Sequence, residues 1–159
     1  MAALSFAKMG IPVFPLHVPD NGGCSCLKSN CRHAGKHPRT RHGHKDASTD
    51  LAQIDEWFGK SILSNLAAIT GPKSGILVLD VDGEAGALSL AELENKFGKL
   101  PPCSFVKTGK GKHFYFRYPE VGIQNSVSKL GPGLDIRGAG GYIILPPSLH
   151  QNGSYYEWC

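Results

Sequence analysis

From Pro19 to Asp46 the chain has almost no apolar periodicity, so this stretch cannot fold by burying one face of a helix or strand. A loop of that length inside a compact domain is usually either functional or held by something other than a core. Its composition suggests what. Cys24, Cys26, Cys31, His33 and His37 put three thiols and two imidazoles within fourteen residues, the ligand types that Zn²⁺ prefers. A disulfide framework is the poorer explanation. Cys24 and Cys26 are too close to bridge comfortably, and the total of five Cys is odd. Met1 to Lys8 is too short and too weakly apolar for a secretory segment. A structural zinc site is therefore expected, with Cys24, Cys26 and Cys31 as ligands and either His37 or His33 as the fourth. Cys103 and Cys159 lie outside the cluster.

The same loop, 19–46, is basic. Lys28, Arg32, Lys36, Arg39, Arg41 and Lys45 share it with His33, His37, His42 and His44, and no acid occurs from Asn21 to Lys45. A local field of one sign suits a phosphate, on a nucleotide or on a strand, and also suits a solvated loop. The whole chain carries only +4, which permits an anionic partner without requiring one. No apolar run approaches the roughly 20 residues of a membrane span. The reading is of a soluble, cytoplasmic protein with no membrane partner.

Glycine and proline, 20 and 11 of 159 residues, cut the rest into short elements of an α+β domain. A helix is expected over Ala2–Met9, stopped by Gly10 and Pro12, then a strand over Val13–Leu16. Asp50 reads as an N-cap, with Gln53 completing a capping-box pattern. Leu51, Ile54, Trp57 and Phe58 would form one helical face ending at Gly59. Strands are expected at Leu66–Thr70 and Ile76–Val81, and a helix from about Ala87 to Phe97 with Leu88, Leu90, Leu93 and Phe97 inward. Ser104–Lys107 and His113–Tyr118 read as a hairpin. Leu134–Arg137 and Tyr142–Leu145 read as a second pair joined by Gly138–Gly141. The length admits one domain, 1–159.

The chemistry concentrates at Asp80-Val81-Asp82. Residues two apart in a strand share a face, so Asp80 and Asp82 present two carboxylates side by side. Mutual repulsion is relieved by a hard divalent cation such as Mg²⁺; an exposed strand end before an Asp-Gly turn is the plainer account. Asp135 lies in another short apolar strand, where a lone buried acid is costly. Beside the first strand it would complete an acidic triad for two metals, the arrangement suited to in-line phosphoryl transfer; alternatively it pairs with Arg137 or a nearby lysine. His113 follows the glycine- and lysine-rich Thr108-Gly109-Lys110-Gly111-Lys112, which could approach phosphates or be an ordinary turn before a strand-edge histidine. It is not a Walker loop, since the Gly-Lys-Ser/Thr ending is missing.

Taken together, Asp80-Val81-Asp82, Thr108 to His113 and Leu134-Asp135-Ile136-Arg137-Gly138 occur in an order that resembles the archaeo-eukaryotic primase superfamily. More specifically, the chain resembles the N-terminal bifunctional primase/polymerase domain of phage, plasmid and mobile-element replication proteins. Supporting stretches are Lys45–Asp50, Ala68–Gly71 and Gly140–Ser148, and the Cys/His loop is similar to a variant in part of that family. The resemblance implies a primase-like fold, a small α/β module joined to an RNA-recognition-motif-like module, with a zinc-binding loop near the active site. It implies template-directed nucleotidyl transfer on single-stranded DNA, making and extending primers from dNTP or NTP. Asp80, Asp82 and Asp135 would bind Mg²⁺ or Mn²⁺, and His113 the incoming triphosphate. Lys112, Lys110, Arg137, Thr70 and Gly71 are further nucleotide candidates. The ending at Tyr155–Cys159 reads as a cut through a longer replication protein, which could carry a helicase domain. Two other functions compete: a zinc-dependent nucleic-acid-binding module without catalysis, and a haloacid-dehalogenase-like phosphatase using Asp80 as nucleophile, although Glu84 departs from that pattern.

Overall fold

The computed structural model describes residues 1–20, 22–59 and 63–159; Asn21, within the expected Cys/His loop, lies outside them. The elements are α1 (Ala2–Lys8), β1 (Val13–Leu16), β2 (Pro19–Asp20), β3 (Gly23–Cys24), a 3₁₀ turn (Gly43–Asp46), α2 (Leu51–Phe58) and β4 (Asn65–Ile69). They continue with β5 (Ile76–Asp82), α3 (Gly83–Phe97), β6 (Phe105–Lys107), β7 (Gly111–Arg117), β8 (Leu134–Arg137), β9 (Tyr142–Leu145) and β10 (Glu157–Trp158). Mixed helices and short strands are what the glycine and proline punctuation implied.

Two antiparallel sheets dominate. The smaller runs β1-β4-β9, the larger β10-β6-β7-β5-β8, and β2-β3 is a separate hairpin. Strands of the small sheet are buried on both faces, which is why they read as unbroken apolar runs. Val13, Leu66, Ala68, Ile143 and Leu145 pack under α1 and α2 around Ile54, while Phe14, Leu16, Ala67 and Ile144 pack on the other face with Val106 and Tyr156. In the large sheet, Leu79, Val81 and Leu134 meet Leu90 and Leu93 of α3. Alternation along β5 then sends Val78 into the core shared with the small sheet, and sends Asp80 and Asp82 onto that same side.

Several sequence expectations are corrected. Leu134–Arg137 and Tyr142–Leu145 are not partners: β8 pairs with β5, and β9 with β4. The Gly138–Gly141 segment therefore crosses between sheets instead of closing a hairpin. Helix α3 begins at Gly83, not near Ala87, because its first turn packs by backbone. Gly86 lies against the Gly133 carbonyl, where a Cβ would collide, so no apolar side chain marks the turn. Leu88 and Phe97 are exposed. Leu88 is two residues from Leu90, about 200° around the helix, and Phe97 is its last residue. Leu51 is likewise exposed at the start of α2, leaving Ile54 as the anchor. The capping box is half formed: Asp50 Oδ1 accepts from Gln53 N at 2.9 Å, while the Gln53 side chain turns to Glu56.

Candidate active site and metal centre

Strand β5 sits between β7 and β8, with Asp80 directly opposite His113 on one side and Asp135 on the other. Three sequence-predicted residues thus form a line across three strands. Asp80 is only 6% exposed. Its Oδ2 accepts from Arg137 Nη2 at 2.9 Å and Nε at 3.2 Å. Arg137 Nη2 also reaches Asp135 Oδ2 at 2.8 Å, and Asp135 Oδ1 accepts from Ser128 N at 2.9 Å. The guanidinium therefore bridges two acids of the triad, the pairing that sequence left open. Burial pushes the Asp80 carboxyl up, but His113 and Arg137 outweigh it and hold the group below the usual carboxylate range. Asp80 Oδ1 is buried without a hydrogen-bond partner; His113 Nε2 lies 3.4 Å away.

Asp80, Asp82, His113 and Arg137 line a cleft of about 470 Å³, with Lys110 on the β6–β7 turn and Lys36 from the Cys/His loop. Asp82 stands at the mouth. It occupies the N-cap position of α3, yet its side chain makes no capping bond. Asp135 is not part of the cleft wall. Lys112 is placed away from it: its register partner is Val81, which faces α3, and its ammonium sits 4.9 Å from the Phe105 ring centroid. Thr70 and Gly71 also stay outside the cleft wall. Thr70 Oγ1 donates to Gly138 O at 2.7 Å, and a Cβ on Gly71 would lie 2.8 Å from Ala139 Cα. They brace the crossing whose Gly140 and Gly141 line the cleft.

Sequence reasoning missed His150, Tyr156, Asn125 and Asn65. His150 is buried beneath Gly109, where any Cβ would overlap the imidazole ring. Asn152 Nδ2 donates to Gly109 O at 2.8 Å. The segment after β9 thereby clamps the glycine-lysine turn, while Thr108 Oγ1 accepts from Lys110 N and Gly111 N within it. Tyr156 lies between His113 and His150, tilted to the first and edge-on to the second, at 5.8 and 6.0 Å between centroids. Asn125 Oδ1 is buried without a partner at the cleft wall. None belongs to a local motif; His150, Tyr156 and Asn125 reach the cleft by long-range packing, and Asn65 ties Gly35 to Leu149 outside the cleft wall. Only the isolated polar residue within an apolar run, as at Asn65, could have drawn attention.

The Cys/His loop converges as expected. One ligand atom from each of Cys24, Cys26, Cys31 and His37 lies within 4.8 Å of all the others. His37 Nε2 is 3.3 Å from Cys24 Sγ and 3.4 Å from Cys31 Sγ. A tetrahedral zinc with ordinary bond lengths would put sulfur and nitrogen about 3.6 Å apart. The four atoms therefore fit a metal, with His37 the fourth donor; His33 is not in the cluster. Among the described residues, the three acids do not gather their ligand atoms in that way. The donor set still suits a hard cation: two same-face carboxylates at the cleft, one with an unpartnered buried oxygen.

A family model, bifunctional DNA primase/polymerase N-terminal domain (Prim-Pol), matches residues 3–159. The chain belongs to this family. Prim-Pol membership indicates a DNA primase/polymerase of nucleotidyltransferase type acting in replication, with DNA and nucleotides as substrates. It leaves the phosphatase alternative without support, and a buried Asp80 held by Arg137 is poorly placed as a nucleophile. A comparison with curated proteins finds no match. Among the described residues, no helix of this Prim-Pol chain is long and apolar enough to cross a membrane.

Proposed function

We propose that the chain catalyses template-directed nucleotidyl transfer on single-stranded DNA, both starting and extending a primer from dNTP or NTP. The observation that supports this best is the line His113–Asp80–Asp135 across three strands, with Asp82 at the mouth of a cleft flanked by Lys36 and Lys110. Asp80 and Asp82, with Asp135 behind them, would hold Mg²⁺ or Mn²⁺ in a two-metal arrangement. Such cations would supply activation of the attacking 3′-oxygen and neutralisation of the departing pyrophosphate. The protein's own groups position the reactants. His113 and Lys110 hold the triphosphate, Arg137 fixes the ionised state of Asp80, and the clamped Thr108–Gly111 turn keeps the phosphate side of the cleft rigid. Base pairing with the template selects the nucleotide.

The five-stranded sheet with α3 fits the RNA-recognition-motif-like half of a primase-like fold, and the small sheet with α1 and α2 the other. In this reading 1–159 is one catalytic domain acting in replication of phage or plasmid type, in the cytoplasm. The test is incubation with single-stranded DNA, nucleotides and Mg²⁺ or Mn²⁺, with and without a primer. Extension products from the parent, lost in Asp82→Ala, are expected. A parent as inert as Asp82→Ala overturns the reading. One observation favours a second reading: Arg137 already neutralises two of the three acids. A binding module without catalysis would bind the strand equally well after Asp80→Ala with Asp82→Ala, and incorporate nothing.

A further inference from the structure

We propose that Lys36, on the Cys/His loop, binds the phosphate tail of the nucleoside triphosphate. The proposal rests on the nucleotidyl-transfer reading and assigns that site a cation from a loop outside both sheets. The backbone around Lys36 is pinned at three successive residues. Gly35 O accepts from Asn65 Nδ2 at 2.9 Å, Lys36 O from the Tyr142 hydroxyl at 2.9 Å, and His37 O from His17 N at 3.0 Å. Gly35 adopts φ +77°, and a Cβ there would lie 2.8 Å from Pro19 Cδ. Only glycine fits that passage. A flexible basic loop would not be fastened so closely; this one delivers a single side chain to a fixed point.

That point is the cleft wall shared with Asp80, Asp82 and Lys110. Lys36 is half-buried, and among the described residues no carboxylate lies within 4.0 Å of its ammonium. Burial disfavours the charged ammonium, the Asp82 and Asp80 carboxylates offset this only from a distance, and a bound phosphate would supply the direct contact that is missing. Arg137, by contrast, is already satisfied by two carboxylates. A phosphate could come from the nucleotide or from the strand. The cleft position favours the nucleotide, because Lys36 and Lys110 line the same cleft as the paired acids. Arg32 and Arg41 of the loop are exposed, where a strand would meet them.

The test measures equilibrium binding of dATP, deoxyadenosine and a short single-stranded oligonucleotide to the parent, Lys36→Met and Lys36→Arg. Lys36→Met should raise the Kd for dATP about tenfold, the loss of one charge-assisted contact. Deoxyadenosine and oligonucleotide should stay within about twofold, and Lys36→Arg should restore most of the dATP affinity, which excludes a folding defect as the cause. An unchanged dATP Kd, or a loss confined to the oligonucleotide or shared equally by deoxyadenosine, overturns the proposal. If the parent extends primers and Lys36→Met binds dATP as the parent does, the proposal falls while nucleotidyl transfer stands. A parent that binds no dATP takes both down.

Discussion

A carboxylate as buried as Asp80 would normally favour its neutral form. It stays ionised because His113 lies beside it and one guanidinium lies across it and across Asp135 on the next strand. Removing that guanidinium leaves a desolvated charge with only His113 beside it. Arg137→Met should therefore cost about 2–3 kcal/mol of folding free energy at neutral pH, somewhat below a fully buried pair because the arginine is partly exposed. The pH dependence gives the sign. In the parent, the depressed Asp80 contributes stability that is present above about pH 4 and fades as pH falls through its folded value. Arg137→Met removes one of the two groups that hold the carboxyl down, so its folded value rises and less of that stability remains to be lost as pH falls. The stability gap between the two proteins should accordingly be widest near pH 7 and shrink towards pH 4, as read by urea titrations at each pH. A gap independent of pH would show that the arginine acts by packing alone.

The Cys/His loop is the element whose form depends least on a core, so its stability should follow the metal. Its thiolates and His37 gather on a segment carrying only the two-residue strands β2 and β3. Purified protein should hold close to one zinc per chain. Chelation should speed tryptic cleavage at Lys28 and Arg32, while Lys36, held by Asn65 and Tyr142, and the signal of the two main sheets persist. Zinc content near zero in well-folded protein would refute the ligand set. The β6–β7 turn is held differently, by Asn152 and by the ring of His150 under Gly109. Gly109→Ala should cost about 1–3 kcal/mol, since a ring or a backbone must move, and thermal melts against Lys110→Ala will separate that strain from loss of charge. Both elements were legible in the sequence, the first from its donor types and the second from its glycines. The clamp on the turn was not, because His150 comes from a distant part of the chain and carries no local pattern.

At the scale of the whole chain, periodicity identified most elements but not which sheet each joins. Leu134–Arg137 and Tyr142–Leu145 are close in sequence and equally apolar, yet they leave for different sheets; strand pairing is decided by packing that no window of residues contains. Two fully buried residues of the large sheet tie it to the small one: Val106 of β6 packs on one face of the small sheet, and Val78 of β5 on the other with α1 and α2. Asp80 and Asp82 follow Val78 on the same strand face, so the cleft exists only while that junction holds. The two tryptophans sit on either side of it: Trp57 packs with the small sheet's cores, and Trp158 on β10 lies 4.9 Å from the Tyr115 ring of β7. Trp158 also lies 6.5 Å from the Phe6 ring of α1, so variants retaining one tryptophan each report the small-sheet core from Trp57 and the seam between β10, β7 and α1 from Trp158. If the two sheets share one core, both reporters should unfold at the same urea concentration, and Val78→Ala should move both midpoints together by the equivalent of about 1–3 kcal/mol. Midpoints that differ between the reporters, or a shift confined to Trp158, would mean that the sheets unfold as separate units and that the cleft between them can open without global unfolding.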